Sequence, residues 1–241
     1  MEHPYPSRRF NTWTLVHSAV FLLAGLAIAA MRPGRIGRSV SAGACFFSLL
    51  SFAWLFRLQG KGSLRAPNVV GLTRLLGAAY ALLSAALPLP GGWALFFVVA
   101  AASASDFADG ALARRMGPTP FGGKLDMELD AFNVFALSIA GFFLFQTGTR
   151  ILVLGLLRYC YVFALLILPP AGSTPKWTRL AAKYICAFAV SALVAVTAPV
   201  LPNAAREALV TLSVGFLSLS FGIDIALRLL GNEEQSAERT L

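Results

Sequence analysis

Charge is scarce in this chain. Only 13% of its residues are Asp, Glu, Lys or Arg, against about 25% in soluble domains. At 57% hydrophobic, it lacks the polar surface to face water on all sides. Acidic residues are the scarcest, 11 against 20 basic ones. Histidine occurs only as His3 and His17, both near the N-terminus and too isolated to build a His-based triad. The three cysteines, Cys45, Cys160 and Cys186, sit in apolar stretches without CxxC spacing or His neighbours. That excludes a zinc or disulfide framework and leads us to expect small hydrophobes packed within helices. No connector is long enough to hold a water-soluble domain.

What is abundant is long apolar runs. A spanning helix needs roughly 20 mostly apolar residues. Runs at about 12–31, 39–57, 68–88, 93–113, 125–146, 150–169, 179–200 and 206–230 predict an all-α integral membrane protein of eight transmembrane helices. The runs are continuous rather than alternating, which excludes a barrel. The first ends in "MRPGRIGR" instead of a small-residue cleavage site, so it reads as a retained anchor.

The net charge of +9 has no exposed domain and no aromatic-interleaved basic stripe to act through. It implies contact with anionic lipid heads and no nucleic-acid partner. With the N-terminus in the cytoplasm, fourteen Lys and Arg residues fall on the cytoplasmic side and five on the other, the bias that the positive-inside rule requires. The cluster "RPGRIGR" at 32–38 runs locally against it. The polar connector "RLQGKGSLRAPN" at 57–68 divides a two-helix N-terminal addition, 1–65, from a six-helix core, 66–230. A polar tail, 231–241, should fray.

The few acids are not scattered. In "SDFADGALARR", residues 105–115, Asp106 and Asp109 lie three apart at the cytoplasmic end of the fourth span and share a helical face. Gly110 and Ala113 leave room beside them for a bulky ligand, and Arg114 can reach back to an anion. "MGPTPFGGK" follows as a turn or short re-entry. Then "LDMELDAF" opens the fifth span, with Asp126 and Asp130 four apart on one face. Simple solvation, or pairing with Arg114, Arg115 and Lys124, would account for any one of these acids. Four at one membrane level would repel one another. A pair of Mg²⁺ ions resolves the conflict, because hard cations take carboxylate oxygens. Two metals about 4 Å apart can steady both oxygens of a phosphoryl displacement.

This pattern, Asp106-x2-Asp109-Gly110-x2-Ala113-Arg114 and then Gly122-x3-Asp126-x3-Asp130, resembles the defining motif of the CDP-alcohol phosphotransferases. Either Gly122 or Gly123 can stand as the loop glycine. "PNVVGLTRLL" at 67–76 is similar to the usual start of that family's first core helix, with Asn68, Thr73 and Arg74 in place. The resemblance implies a six-helix core, a homodimer, and transfer of a phosphatidyl group from CDP-diacylglycerol to an alcohol with release of CMP. It implies two Mg²⁺ or Mn²⁺ ions held by Asp106, Asp109, Asp126 and Asp130, with Asp130 as general base. Asp106, Asp109, Gly110, Ala113, Arg114, Asn68 and Thr73 would bind the nucleotide. The setting implied is a bacterial inner membrane, with the site facing the cytoplasm.

For the acceptor, Lys176, Arg179 and Lys183 share one helical face that could hold a phosphorylated polyol, or could equally meet lipid heads. Arg158, deep in a span, is expected to contact a phosphate or to pair with Asp224 or Glu128. Glu128 points away from Asp126 and Asp130 and is expected to pair with a base. Three other readings are a CDP-choline or CDP-ethanolamine transferase acting on diacylglycerol, a transporter, and an inactive scaffold. A transporter would carry polar residues through the membrane depth, whereas here the acids gather at one interface.

Overall fold

A computed structural model describes residues 8–31, 34–59, 66–117, 119–145, 147–168 and 175–238. They form eight helices: α1 (Arg8–Met31), α2 (Arg35–Gln59), α3 (Ala66–Ala86), α4 (Trp93–Met116), α5 (Pro120–Leu144), α6 (Arg150–Ile167), α7 (Lys176–Val196) and α8 (Asn203–Glu238). No strand occurs among the described residues. The protein is an all-α membrane bundle, as the apolar runs require.

Among the described residues, seven of the eight helices are long and apolar enough to cross a membrane. α7 is itself 21 residues long, and its described apolar stretch is Leu180–Val196. Its first turn, "KWTR", is suited to the interface.

Two expectations at helix ends are corrected. "MGPTPFGGK" is not a nine-residue turn: α4 runs to Met116 and α5 starts at Pro120. Gly117, at φ 84°, ends α4 in a conformation open to glycine. Thr119 caps α5 by accepting from the Gly122 N–H at 3.0 Å, and Pro120 follows at a position where its missing N–H costs nothing. Gly122 and Gly123 are therefore helical. The tail expected to fray past residue 230 stays helical to Glu238, which agrees with the helix propensity of Glu, Gln and Ala in "NEEQSAE".

α5 is the most enclosed of the spans. Leu125, Leu129, Phe132, Phe135 and Ala136 are buried along it. α3, α6 and α7 pack around it, and α1 and α2 lie against α3 and α6. Phe21 of α1 meets Phe132 at 5.4 Å and Phe135 at 4.9 Å, and stacks on Tyr159 at 5.5 Å. In lipid such contacts hold by close packing rather than by water exclusion. Close packing also explains Gly77, where a Cβ would strike Ala102 of α4. Of the three cysteines only Cys45 is packed inside. Cys160 and Cys186 are exposed on helix faces, where a small apolar side chain has no packing to fulfil.

Candidate active site

The site lies where α3, α4 and α5 meet. Arg74 projects from α3 and is 1% exposed, a position tolerable in an apolar bundle only with partners. It has four. Its Nη2 lies 3.0 Å from Asp106 Oδ1, 2.5 Å from Asp109 Oδ2 and 2.7 Å from Asp126 Oδ1, and its Nη1 donates to Asp130 Oδ1. The two aspartate pairs read from the sequence therefore converge on one guanidinium.

They are not equivalent. Asp109 is buried, whereas the side chains of Asp106, Asp126 and Asp130 are 47%, 49% and 50% exposed. Those three each bring a carboxylate oxygen within 4.8 Å of the others. The donor set is all oxygen and anionic and opens on one side, which fits a hard divalent cation. Asp109 faces the Cα of Gly71, where an added Cβ would stand 3.4 Å from its Oδ2.

A cavity of about 130 Å³ adjoins this cluster, lined by Asn68, Gly71, Asp109, Gly110, Ala113, Gly122, Gly123 and Asp126 among others. The small residues of the motif thus leave a hollow beside the carboxylates. Arg114 is exposed, and its Nη1 lies 3.4 Å from where a Gly110 Cβ would be, at the rim of the hollow. Thr73 stands elsewhere: it does not line the cavity, and its hydroxyl donates to Ser105 of α4 at 2.6 Å.

Behind the cluster, Glu128 is buried and accepts from Arg158 Nη2 at 3.3 Å. The expected pairing of Arg158 is thereby made with Glu128. Asp224 instead accepts from Arg228 at 2.7 Å and from the Tyr161 hydroxyl.

A second cavity, of about 200 Å³, lies between α6, α7 and α8. Tyr161, Thr178, Ser220 and Asp224 give it polar atoms, and Trp177 and Phe221 give it aromatic walls. Its α7 side is formed by Trp177, Thr178, Ala181, Ala182, Ile185 and Cys186. Lys183 does not line it. Lys183 is exposed, and the side chains of Lys176 and Arg179 lie outside the described residues.

Arg74 stands in the family motif by sequence, and its task as counter-charge comes from the packing of α3 against α4 and α5. The signal was present, since a single Arg two turns inside an apolar span needs counter-charges. The Tyr161–Asp224–Arg228 group was missed, because its members are scattered over two helices.

A helical membrane bundle with an acidic centre beside a small-residue hollow defines the class of protein. Residues 64–221 match the family model described as CDP-alcohol phosphatidyltransferase, and the chain belongs to that family. No curated protein and no solved structure matches it. The family is one of membrane transferases acting on a CDP-alcohol.

Proposed function

We propose that this protein transfers the phosphatidyl group of CDP-diacylglycerol to an alcohol acceptor and releases CMP. One observation carries the reading: carboxylates from two helices converge within 4.8 Å, beside a hollow made by the glycines and alanine of the family motif. Asp106, Asp109, Asp126 and Asp130 would hold two divalent cations, Mg²⁺ or Mn²⁺. Bound there, the cations supply positive charge to the diphosphate and to the oxygens that enter and leave phosphorus.

The protein's own groups do the rest. Asn68, Gly110, Ala113 and Gly122 shape the hollow that seats the cytidine diphosphate, with Arg114 at its rim. Thr73 ties α3 to α4 through Ser105 and so positions Asp106. Asp130 accepts the proton of the acceptor hydroxyl. The acceptor oxygen then bonds to the lipid-bearing phosphorus, the phosphorus–oxygen bond to CMP breaks, and CMP leaves with that electron pair. The second cavity, between α6, α7 and α8, suits the acceptor. Its Asp224, Tyr161, Ser220 and Thr178 are hydrogen-bonding groups for hydroxyls. Lys183, exposed on α7, and with it Lys176 and Arg179, would offer charge to an acceptor's phosphate or to lipid heads. Arg158 acts through Glu128 rather than on the acceptor.

We place the protein in a bacterial cytoplasmic membrane with the acidic end facing the cytoplasm. The excess of basic residues at that end supports this. A homodimer is supported by family resemblance.

The test is CMP release by purified protein with CDP-diacylglycerol and Mg²⁺, across glycerol phosphate, inositol phosphate, inositol, serine and phosphatidylglycerol. Release with one acceptor, abolished by EDTA, is expected. Release with CDP-choline or CDP-ethanolamine and diacylglycerol instead would overturn the donor assignment. Asp130→Asn should lose on the order of 100-fold or more in turnover. Normal turnover in that variant would remove Asp130 as the base.

A further inference from the structure

The residues 124, 126, 128 and 130 of α5 alternate between two tasks. Asp126 and Asp130 face Arg74, while Lys124 and Glu128, two residues out of phase, point to the opposite side. Each of these back-face residues is gripped. Glu128 is held by Arg158 of α6. Lys124 is held by α1: its Nζ donates to Asn11 Oδ1 at 2.9 Å and lies 5.4 Å over the Phe10 ring. Phe121, one turn before Lys124, meets Phe10 edge-on at 5.9 Å and Phe56 of α2 at 6.3 Å. Phe10 is itself 4% exposed.

We propose that the α1–α2 hairpin is a brace for the acidic face of α5, with Phe10 and Asn11 as positioning residues that set the affinity of the carboxylate cluster for divalent cations. The proposal rests on the reading of Asp106, Asp126 and Asp130 as cation ligands. Both residues precede the stretch that matches the family, residues 64–221, so the brace lies outside the family core.

The first turn of a helix lacks half of its backbone bonds and is the first part to fray. Here that turn follows a break of only three residues after α4, and Asp126 stands just beyond it. A carboxylate sits about 5–6 Å from its helix axis, so a rotation of about 10° moves it by about 1 Å. Metal ligands tolerate errors of about 0.2 Å. Gripping the back face at Lys124 and Glu128 blocks that rotation from both sides of Asp126.

The experiment is a Mn²⁺ titration of the full-length protein in detergent, with free Mn²⁺ read by electron paramagnetic resonance and unfolding temperature recorded on the same samples. Phe10→Ala should weaken Mn²⁺ binding roughly ten-fold, as loss of outer-shell support does, and Phe10→Leu should restore most of it. Asn11→Ala and Lys124→Met, which leave buried packing intact, should weaken it in the same direction if Phe10→Ala cannot be purified folded. Wild-type Mn²⁺ affinity in these variants, with only the unfolding temperature lowered, would overturn the brace and leave the hairpin a stabiliser. Asp126→Asn is the control on the underlying reading. If it binds Mn²⁺ as the wild type does, the cation reading falls and the brace falls with it.

Discussion

Arg74 and Asp126, 52 residues apart in sequence, meet at 2.7 Å across the α3–α5 contact. The same guanidinium reaches Asp106, Asp109 and Asp130, so one buried cation offsets part of four negative charges. Divalent cations at the cluster would share that task. Arg74 therefore matters most when no cation is bound.

This gives a stability prediction. Arg74→Met leaves the carboxylates facing one another, and loss of one member of a buried ionic group costs about 3–5 kcal/mol. The loss should be large in EDTA and much reduced in millimolar Mg²⁺, because binding to the folded state alone stabilises it. Thermal unfolding with and without Mg²⁺ measures the difference. An equal loss in both conditions would show that the cation does not share Arg74's role.

The pair behind the cluster behaves differently. Arg158→Met strands Glu128, which is 3% exposed, and should cost about 3–5 kcal/mol. Adding Glu128→Gln should recover much of that, since the uncompensated charge is gone. A double-mutant cycle on unfolding free energy reads the coupling. Additive losses would mean that the 3.3 Å contact contributes little.

The helical layout and the four aspartates were legible in the sequence because both are local signals. Apolar runs of spanning length need no partner to be recognised, and spacings of three and four put Asp106 with Asp109, and Asp126 with Asp130, on shared faces. The start of α5 was misjudged because its glycines and prolines resemble a loop, whereas Thr119 and Pro120 are strong helix-start residues. That Arg74 needs counter-charges was legible from its place inside an apolar span, but which acids supply them, and Asp224 as a cavity wall, were not. Each depends on which helix packs against which, and spacing along one helix does not carry that.

The hollow beside Asp109 makes a prediction for the donor. A Cβ at Gly122 would come within 2.9 Å of Thr119 Oγ1 and 3.2 Å of Asn68 Oδ1. Gly122→Leu should therefore crowd the hollow without touching the carboxylates. The KM for CDP-diacylglycerol should rise roughly ten-fold, about 1.4 kcal/mol, while Mn²⁺ affinity stays near the wild-type value. Loss of Mn²⁺ binding in this variant would mean that the glycine serves the cation cluster instead.

The second cavity makes the complementary prediction for the acceptor. Asp224 is held by Arg228 at 2.7 Å and by Tyr161, so its orientation is fixed before any ligand arrives. A hydroxyl bound to such a carboxylate gains a charge-assisted hydrogen bond, and losing one of these costs about 1.5–3 kcal/mol. Asp224→Asn should therefore raise the acceptor KM by roughly ten- to a hundred-fold and leave the donor KM unchanged. Tyr161→Phe, which removes one of the two bonds to Asp224 Oδ2, should move the acceptor KM in the same direction by less. Initial-rate measurements of CMP release, varying one substrate at a time, separate the two constants. A change in donor KM alone would place the CDP-alcohol, not the acceptor, between α6, α7 and α8.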